Sequence, residues 1–376
     1  MRLTRHILFA LALAFGLGPL AMSVQAGDIY TVRNVPVDVT AGSALEARNI
    51  AQVNGQRAAL GQLLRRLTLP EDWAQLPQPD DITVQRSVRG FQVASEKAST
   101  TRYIAKLNVS FHPDGIRRML RARGIAYAET QAKPVVLLAV YDSPSQGRLL
   151  WEDANSWRKA FTTLDLTNSL APITLPLGDA QDIDVSAGQA LSGDGVALSS
   201  LARRYGAEDI VVAHGVLSGG TMTVTISRIG ADAKVEKLTA SGGGADAKSA
   251  AEAAAADVIA KLDSEWKKAV IVRGGAAGQM IVSAAFSSLG DWETIRSRLA
   301  SSPLVQDMQV RGIGANGADI RVSYRGSPDK LALVLAQQNV LLTQTGGSWW
   351  LRLPEAGAPI PNPLAPQSSP PAQPVP

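Results

Sequence analysis

Residues 196–217 read Val-Ala-Leu-Ser-Ser-Leu-Ala-Arg-Arg-Tyr-Gly-Ala-Glu-Asp-Ile-Val-Val-Ala-His-Gly-Val-Leu. This is a short amphipathic helix, a glycine stop and a strand too apolar to have a wet face. Such a strand belongs inside a sheet with helices packed on it. The neighbouring chain supplies the rest of that sheet. Residues 135–141 form a continuous apolar run, 221–229 return across Gly219-Gly220 as a hairpin, and 235–240 add a strand. Helices are expected over 149–161 and around the stripe Val258, Leu262, Trp266 and Ala269. Residues 164–195 read as irregular, and 241–255 as a low-complexity Gly/Ala stretch leading into the last helix.

Two smaller units flank this one. The first opens with a strand at 29–39 and a capping box, Ser43 to Glu46, that starts a helix running to Leu67. Its expected inward stripe is Ile50, Val53, Leu60, Leu64 and Leu67, with Ala47, Ala51, Ala58 and Gly61 allowing close approach. A loop at 69–79, a hairpin of 88–94 with 101–111, and a helix from His112-Pro113 to Gly124 complete a β-α-β-β-α order. In the last unit, strands at 280–286, 305–310 and 319–324 alternate with helices carrying Trp292, Ile295 and Leu299, then Leu331, Val334 and Leu335. With strands at 340–342 and 349–353 the order is a ferredoxin-like β-α-β-β-α-β plus one strand.

The expected fold class is therefore mixed, α+β with α/β. The expected organisation is a signal peptide at 1–26, an α+β domain at 27–130, an α/β domain at 131–272 and a ferredoxin-like domain at 273–353. Residues 354–376, nine of them proline, are expected to be a disordered Pro-rich tail.

Arg2 and Arg5, the apolar run 7–20 and Val24-Gln25-Ala26 have the layout of a cleaved secretory signal. Left uncleaved, it would serve as an anchor. The chain has no cysteine, so it forms no disulfide and carries no lipidated N-terminal cysteine. The expected address is the periplasm. Net charge is +4, unevenly spread: 15 basic against 10 acidic side chains over 27–133, and 12 against 17 over 134–270. An exported chain with that balance is not expected to meet nucleic acid, and its membrane contact is expected to be peripheral at most.

The catalytic motifs weigh little. Gly312-x-Gly314-x-x-Gly317 has the letters of a dinucleotide fingerprint, but a strand follows it where a helix is required, so it is a hairpin loop. Ser264-x-x-Lys267 lacks the partner motifs of penicillin-recognising enzymes. His214, in an apolar strand, reads as a core residue and His112 as a turn residue. With His6 in the expected signal peptide, the two distant histidines of the mature chain and the lack of cysteine make a zinc site unexpected.

The best binding candidate is the acidic loop with Asp179, Asp182, Asp184 and Asp194, together with Trp151. Asp182-x-Asp184-x-Ser186 begins like a calcium loop, but Ala187 and Gly193 stand where glycine and a bidentate glutamate are needed, so no metal or cofactor is assigned. Arg117, Arg118, Arg121 and Arg123, with Arg65 and Arg66, form the candidate contact for an anionic surface. Trp349 and Trp350 are neighbours on a strand and must face opposite ways, one to the core and one outward.

Pro172-Ile-Thr-Leu-Pro-Leu-Gly-Asp179, Asp182, Leu201-Ala-Arg-Arg-Tyr-Gly-Ala207, the capped helix at 43–67 and the run at 134–138 resemble an uncharacterised family of exported proteobacterial proteins. That family, a domain of unknown function, implies no catalytic residues. The step at 198–213 is similar, more loosely, to the α/β domains of envelope assembly proteins of the TolB N-terminal and CsgG types, which are adaptors. The expected function is accordingly a non-enzymatic adaptor or assembly factor of the bacterial cell envelope that binds protein partners. The alternative is an envelope hydrolase or carbohydrate-binding protein using the loop 179–194.

Overall fold

The computed structural model describes residues 28–354 apart from 167, 231–234 and 275–276. The expected signal peptide and all but the first residue of the expected tail lie outside the described residues.

The first unit runs β1 (Thr31–Thr40), α1 (Ala44–Leu67), α2 (Asp81–Ser87), β2 (Val88–Ala98), β3 (Arg102–Phe111) and α3 (Pro113–Ala122). A 3-10 turn at Pro70–Gln75 occupies about half of the expected loop at 69–79, and α2 follows it in a stretch for which the sequence suggested no element. The sheet order is β1-β3-β2, antiparallel throughout. Helix α1 starts as the sequence says, Ser43 accepting from the Glu46 amide at 3.2 Å, but the Glu46 carboxylate reaches one residue further back, to the Gly42 amide at 3.1 Å. The inward face of α1 differs from the expected stripe in its first half. Ala47, Ala51, Gly55 and Ala59 lie against the sheet, whereas Ile50 is exposed and Val53 half-buried. The reason is distance: a Cβ on Gly55 would stand 2.5 Å from Leu107 Cδ1 and 2.9 Å from Val37 Cγ1. The helix sits too close to the sheet for branched side chains at the contact.

The middle unit comprises β4 (Val135–Ser143), β5 (Gly147–Leu149), α4 (Ser156–Phe161), β6 (Ile173–Thr174), α5 (Ala187–Ser192), α6 (Gly195–Arg204), β7 (Ile210–Ser218), β8 (Thr221–Ile229), β9 (Val235–Gly243) and α7 (Ala247–Val270). Strand order is β5-β4-β7-β8-β9, with β6 beside β4, and β4 and β7 run parallel. One face packs on α4 and α7 and the other on α5 and α6, so β4 and β7 are covered on both sides. The helix expected from 149 begins only at Ser156. Asn155 fixes its start: the side chain accepts from the Arg158 amide at 2.9 Å and donates to the carbonyls of Ala139 and Leu150. The Ala-rich stretch is the first half of α7, with Ala250, Ala251, Ala254 and Ala255 wholly buried over β8 and β9.

The last unit is β10 (Ala277–Ala285), α8 (Leu289–Ser301), β11 (Val305–Ile313), β12 (Gly317–Arg325), α9 (Pro328–Gln337), β13 (Leu341–Thr345) and β14 (Ser348–Arg352). Its sheet order is β11-β12-β10-β14-β13. Up to α9 this follows the split βαβ plan. It departs at the end, because the strand beside β10 is β14, running parallel to it, and β13 is pushed to the edge.

The three units are not strung out in series. One hydrophobic core runs from the first unit through Trp266, Val270 and Ile271 at the end of α7 into the last unit. The segment between the first two units is packed as well: Ala128 donates to Leu67 O at 2.9 Å, Thr130 accepts from Trp266 Nε1 at 2.7 Å, and Ala132 donates to Leu170 O at 2.8 Å.

Candidate functional site

The acidic loop is held by partners that come later in the chain. The Asp182 side chain is fully buried. It accepts from the Gly178 amide at 2.8 Å and Tyr205 Oη at 2.6 Å, and forms an ion pair with Arg204. Arg204 also forks onto Asp179, its Nη1 2.7 Å from Oδ1, and holds that carboxyl down at about 2. Asp194 is the N-cap of α6, accepting from the amides of Val196 and Ala197. Trp151 donates its indole N–H to Val185 O at 2.7 Å. Three carboxylates and the tryptophan thus fasten the loop to α6 and to the segment after β5. Asp184 stays exposed to solvent. Among the described residues no group of three His, Asp or Glu is placed to hold a metal ion. The loop's chemistry is that of a satisfied ion-pair network, with the Arg204 guanidinium lying 5.4 Å from the Tyr205 ring centre.

Two of the arginines expected to join the anionic contact are engaged by other groups. Arg66 is turned inward, donating to the carbonyls of Ile29 and Thr31, and Arg65 lies over the Trp73 ring. On α3, Arg117 pairs with Asp114 and, at 2.6 Å, with Glu129. Arg118, Arg121 and Arg123 are exposed. Arg121 lies four residues from Arg117 and three from Arg118, so the three share one flank of α3, where Arg117 is already engaged by Asp114 and Glu129.

His214 corrects the reading of a core residue. It is half-buried, and its Nε2 lies 2.8 Å from Asp142 Oδ2, while Arg148 Nε holds the other oxygen of Asp142 at 2.8 Å. The group sits towards the C-terminal ends of the parallel pair β4 and β7, on the face carrying α5 and α6. Open α/β sheets commonly bind ligands at such ends. Beyond His214 that face continues as Thr225, Thr223, Thr239 and Ser241, all exposed.

The last unit presents an uncovered sheet face with apolar content. Helices α8 and α9 cover one face of its sheet, burying Met280, Val282, Ile320, Val322 and Leu351. The opposite face carries the alternate residues. Trp349 packs onto the core, and Trp350 is 41% exposed on the other side, as alternation requires. Register places Trp350 beside Ser283, and Ile281, 51% exposed, two residues before it on the same face. Arg321 lies opposite Ile281 on β12, with Gln309 beyond it on β11. Ser283 donates to Asp319 at 2.8 Å, fixing the polar row next to the tryptophan. Sequence periodicity separates the faces of each strand, but the wedged position of β14 brings Trp350 next to β10, and no local signal announces that.

Residues 24–129 match the profile of a family described as a domain of unknown function (DUF8605). The matched stretch spans β1 to α3, the whole first unit. Of the residues that carried the family resemblance, only the capped helix at 43–67 lies within it. No curated protein matches the chain. None of the described helices is long and apolar enough to cross a membrane.

Proposed function

We propose that the chain is a non-enzymatic adaptor or assembly factor of the bacterial cell envelope, and that it binds a protein partner through the open face of β10, β12 and β14. The observation that carries this reading is the presence of Trp350 and Ile281, two large exposed apolar side chains on adjacent strands, on one uncovered sheet face framed by Arg321, Asp319 and Gln309. An aromatic anchor ringed by polar groups is the composition of an interaction surface. The edge of this sheet suits strand addition less well. Edge strand β11 carries two register irregularities and β13 is only five residues long. The periplasmic address rests on residues 1–26, and the likeness of 198–213 to envelope assembly domains points the same way.

The test is in-cell photocrosslinking with the probe at Ser348 or Gln309, on the same face, in the full chain. The adaptor reading expects discrete crosslinked species that Trp350→Ala with Ile281→Ser abolishes at unchanged expression. No specific species, or species indifferent to both substitutions, would overturn it.

A further inference from the structure

Where the three units meet, the chain forms a half-open cavity of about 240 Å³. Its walls come from the end of α3, the buried connector 125–130, the end of α7, the turn before β11 and the ends of β12 and α9. The volume is below the roughly 300 Å³ at which pockets begin to hold drug-sized molecules. The lining is divided. Ile125, Val270, Leu304 and Val334 supply an apolar side, and Arg121 and Arg325 supply two guanidiniums. Among the described residues these arginines donate to backbone carbonyls, Arg121 to Arg117 O at 3.3 Å and Arg325 to Pro303 O at 3.5 Å.

The third charged group in the wall is Glu129, whose side chain is 11% exposed. It is held by Arg117 Nε at 2.6 Å and by Tyr30 Oη, so its own negative charge is already engaged from the side of the first unit. Titratable groups therefore face Glu129 from the residue before β1 (Tyr30, a neutral phenol), from α3 (Arg117) and from β12 (Arg325).

We propose that this cavity binds a small organic monocarboxylate with an apolar body, the carboxylate between Arg121 and Arg325 and the body against Ile125, Leu304 and Val334. Guanidinium forks match a planar carboxylate in geometry as well as charge. The carboxyl of Glu129 in the same wall disfavours a dianion such as phosphate. Burial pushes that carboxyl up to about 7, with the Arg325 charge pulling the other way. A second carboxylate brought beside Arg325 competes for that charge and drives Glu129 to take up a proton. Binding then strengthens as pH falls through neutrality.

The same chemistry is offered by a free short-chain acid and by the C-terminus of a peptide. Calorimetric titration of the full chain with hexanoate, hexanol, acetyl-Ala-Leu and its C-terminal amide separates them. Hexanoate is expected to bind at least about tenfold more tightly than hexanol, the loss of one charge-assisted contact being enough for that ratio. Arg325→Gln and Arg121→Gln, both at exposed side chains, are each expected to weaken it, and Glu129→Gln to flatten its pH dependence. Binding of acetyl-Ala-Leu but not its amide, in preference to hexanoate, would assign the peptide source. Equal binding of hexanoate and hexanol, no binding of either acid, or indifference to both arginine substitutions would overturn the proposal.

Discussion

The ammonium of Lys267 lies 2.8 Å from the carbonyl oxygen of Thr68, across 199 residues of chain, and 3.2 Å from that of Arg65. It thereby caps the C-terminus of α1 with a charge carried by α7, where the helix dipole favours one. Lys267 is only 4% exposed. Burial lowers its affinity for a proton, and the half-buried Asp263, whose carboxyl is shifted upward by desolvation, opposes that loss.

Lys267→Met is expected to destabilise the chain by about 2–3 kcal/mol, since two carbonyls lose a charged donor inside the structure. Urea unfolding gives the figure. Adding Asp263→Asn to this variant should cost less than it does in the wild type, because the carboxylate has then already lost its neighbouring cation.

Gly55→Ala is expected to cost about 1–3 kcal/mol through collision with Leu107 and Val37. Gly61→Ala on the same helix meets nothing within 4 Å and should stabilise by about 0.5–1 kcal/mol. Thermal melts of the two variants should therefore move in opposite directions. A shift of the same sign in both would contradict the close approach of α1 to the sheet.

Asp182→Ala should lower stability by about 3 kcal/mol, since it strips Arg204, Tyr205 and the Gly178 amide of one buried acceptor. Asp184→Ala, at an exposed position, should stay within about 0.5 kcal/mol of the wild type. The Asp179 carboxyl, held at about 2 against an ordinary 3.8, adds a stabilising contribution above pH 3.8 that disappears as pH falls through 2. Acid titration followed by circular dichroism should show Asp179→Asn to be less sensitive than the wild type in that window.

Glu129 works in the opposite sense. Its folded-state value near 7 lies above the ordinary 4.5, so the folded chain holds the proton more tightly than the unfolded one. The associated stabilisation is complete below 4.5 and is lost as pH rises through 7. Melting temperatures measured from about pH 4.5 to pH 8 should fall more in the wild type than in Glu129→Gln. Parallel curves would show that this carboxyl titrates normally.

What could be read in the sequence was what is local. The capped start of α1, the helix–strand step at 196–217 and the opposed faces of Trp349 and Trp350 all follow from spacing and residue type, and the structure places them so. The acidic loop drew attention because charge invites a ligand, while the groups that hold its carboxylates, Arg204 as ion-pair partner and Tyr205 as hydrogen-bond donor, are more than twenty residues away in sequence. Ile50 was assigned inward because it is large, whereas the contact distance at Gly55 selects small residues. Glu129 gave no signal at all. Its setting depends on Arg117 one helix earlier and on Arg325 nearly 200 residues later, and no periodicity connects them.

Thr130 and Trp266 are joined by a 2.7 Å hydrogen bond at the two points where the chain leaves for the middle unit and returns from it. Since the core of the first unit continues into the last, the middle unit is topologically a cassette: its two ends meet at one doorway. A chain in which a few residues bridge position 131 to position 266 would keep both outer sheets and their shared core. Evolution could equally exchange or lose the cassette without disturbing the frame that carries it.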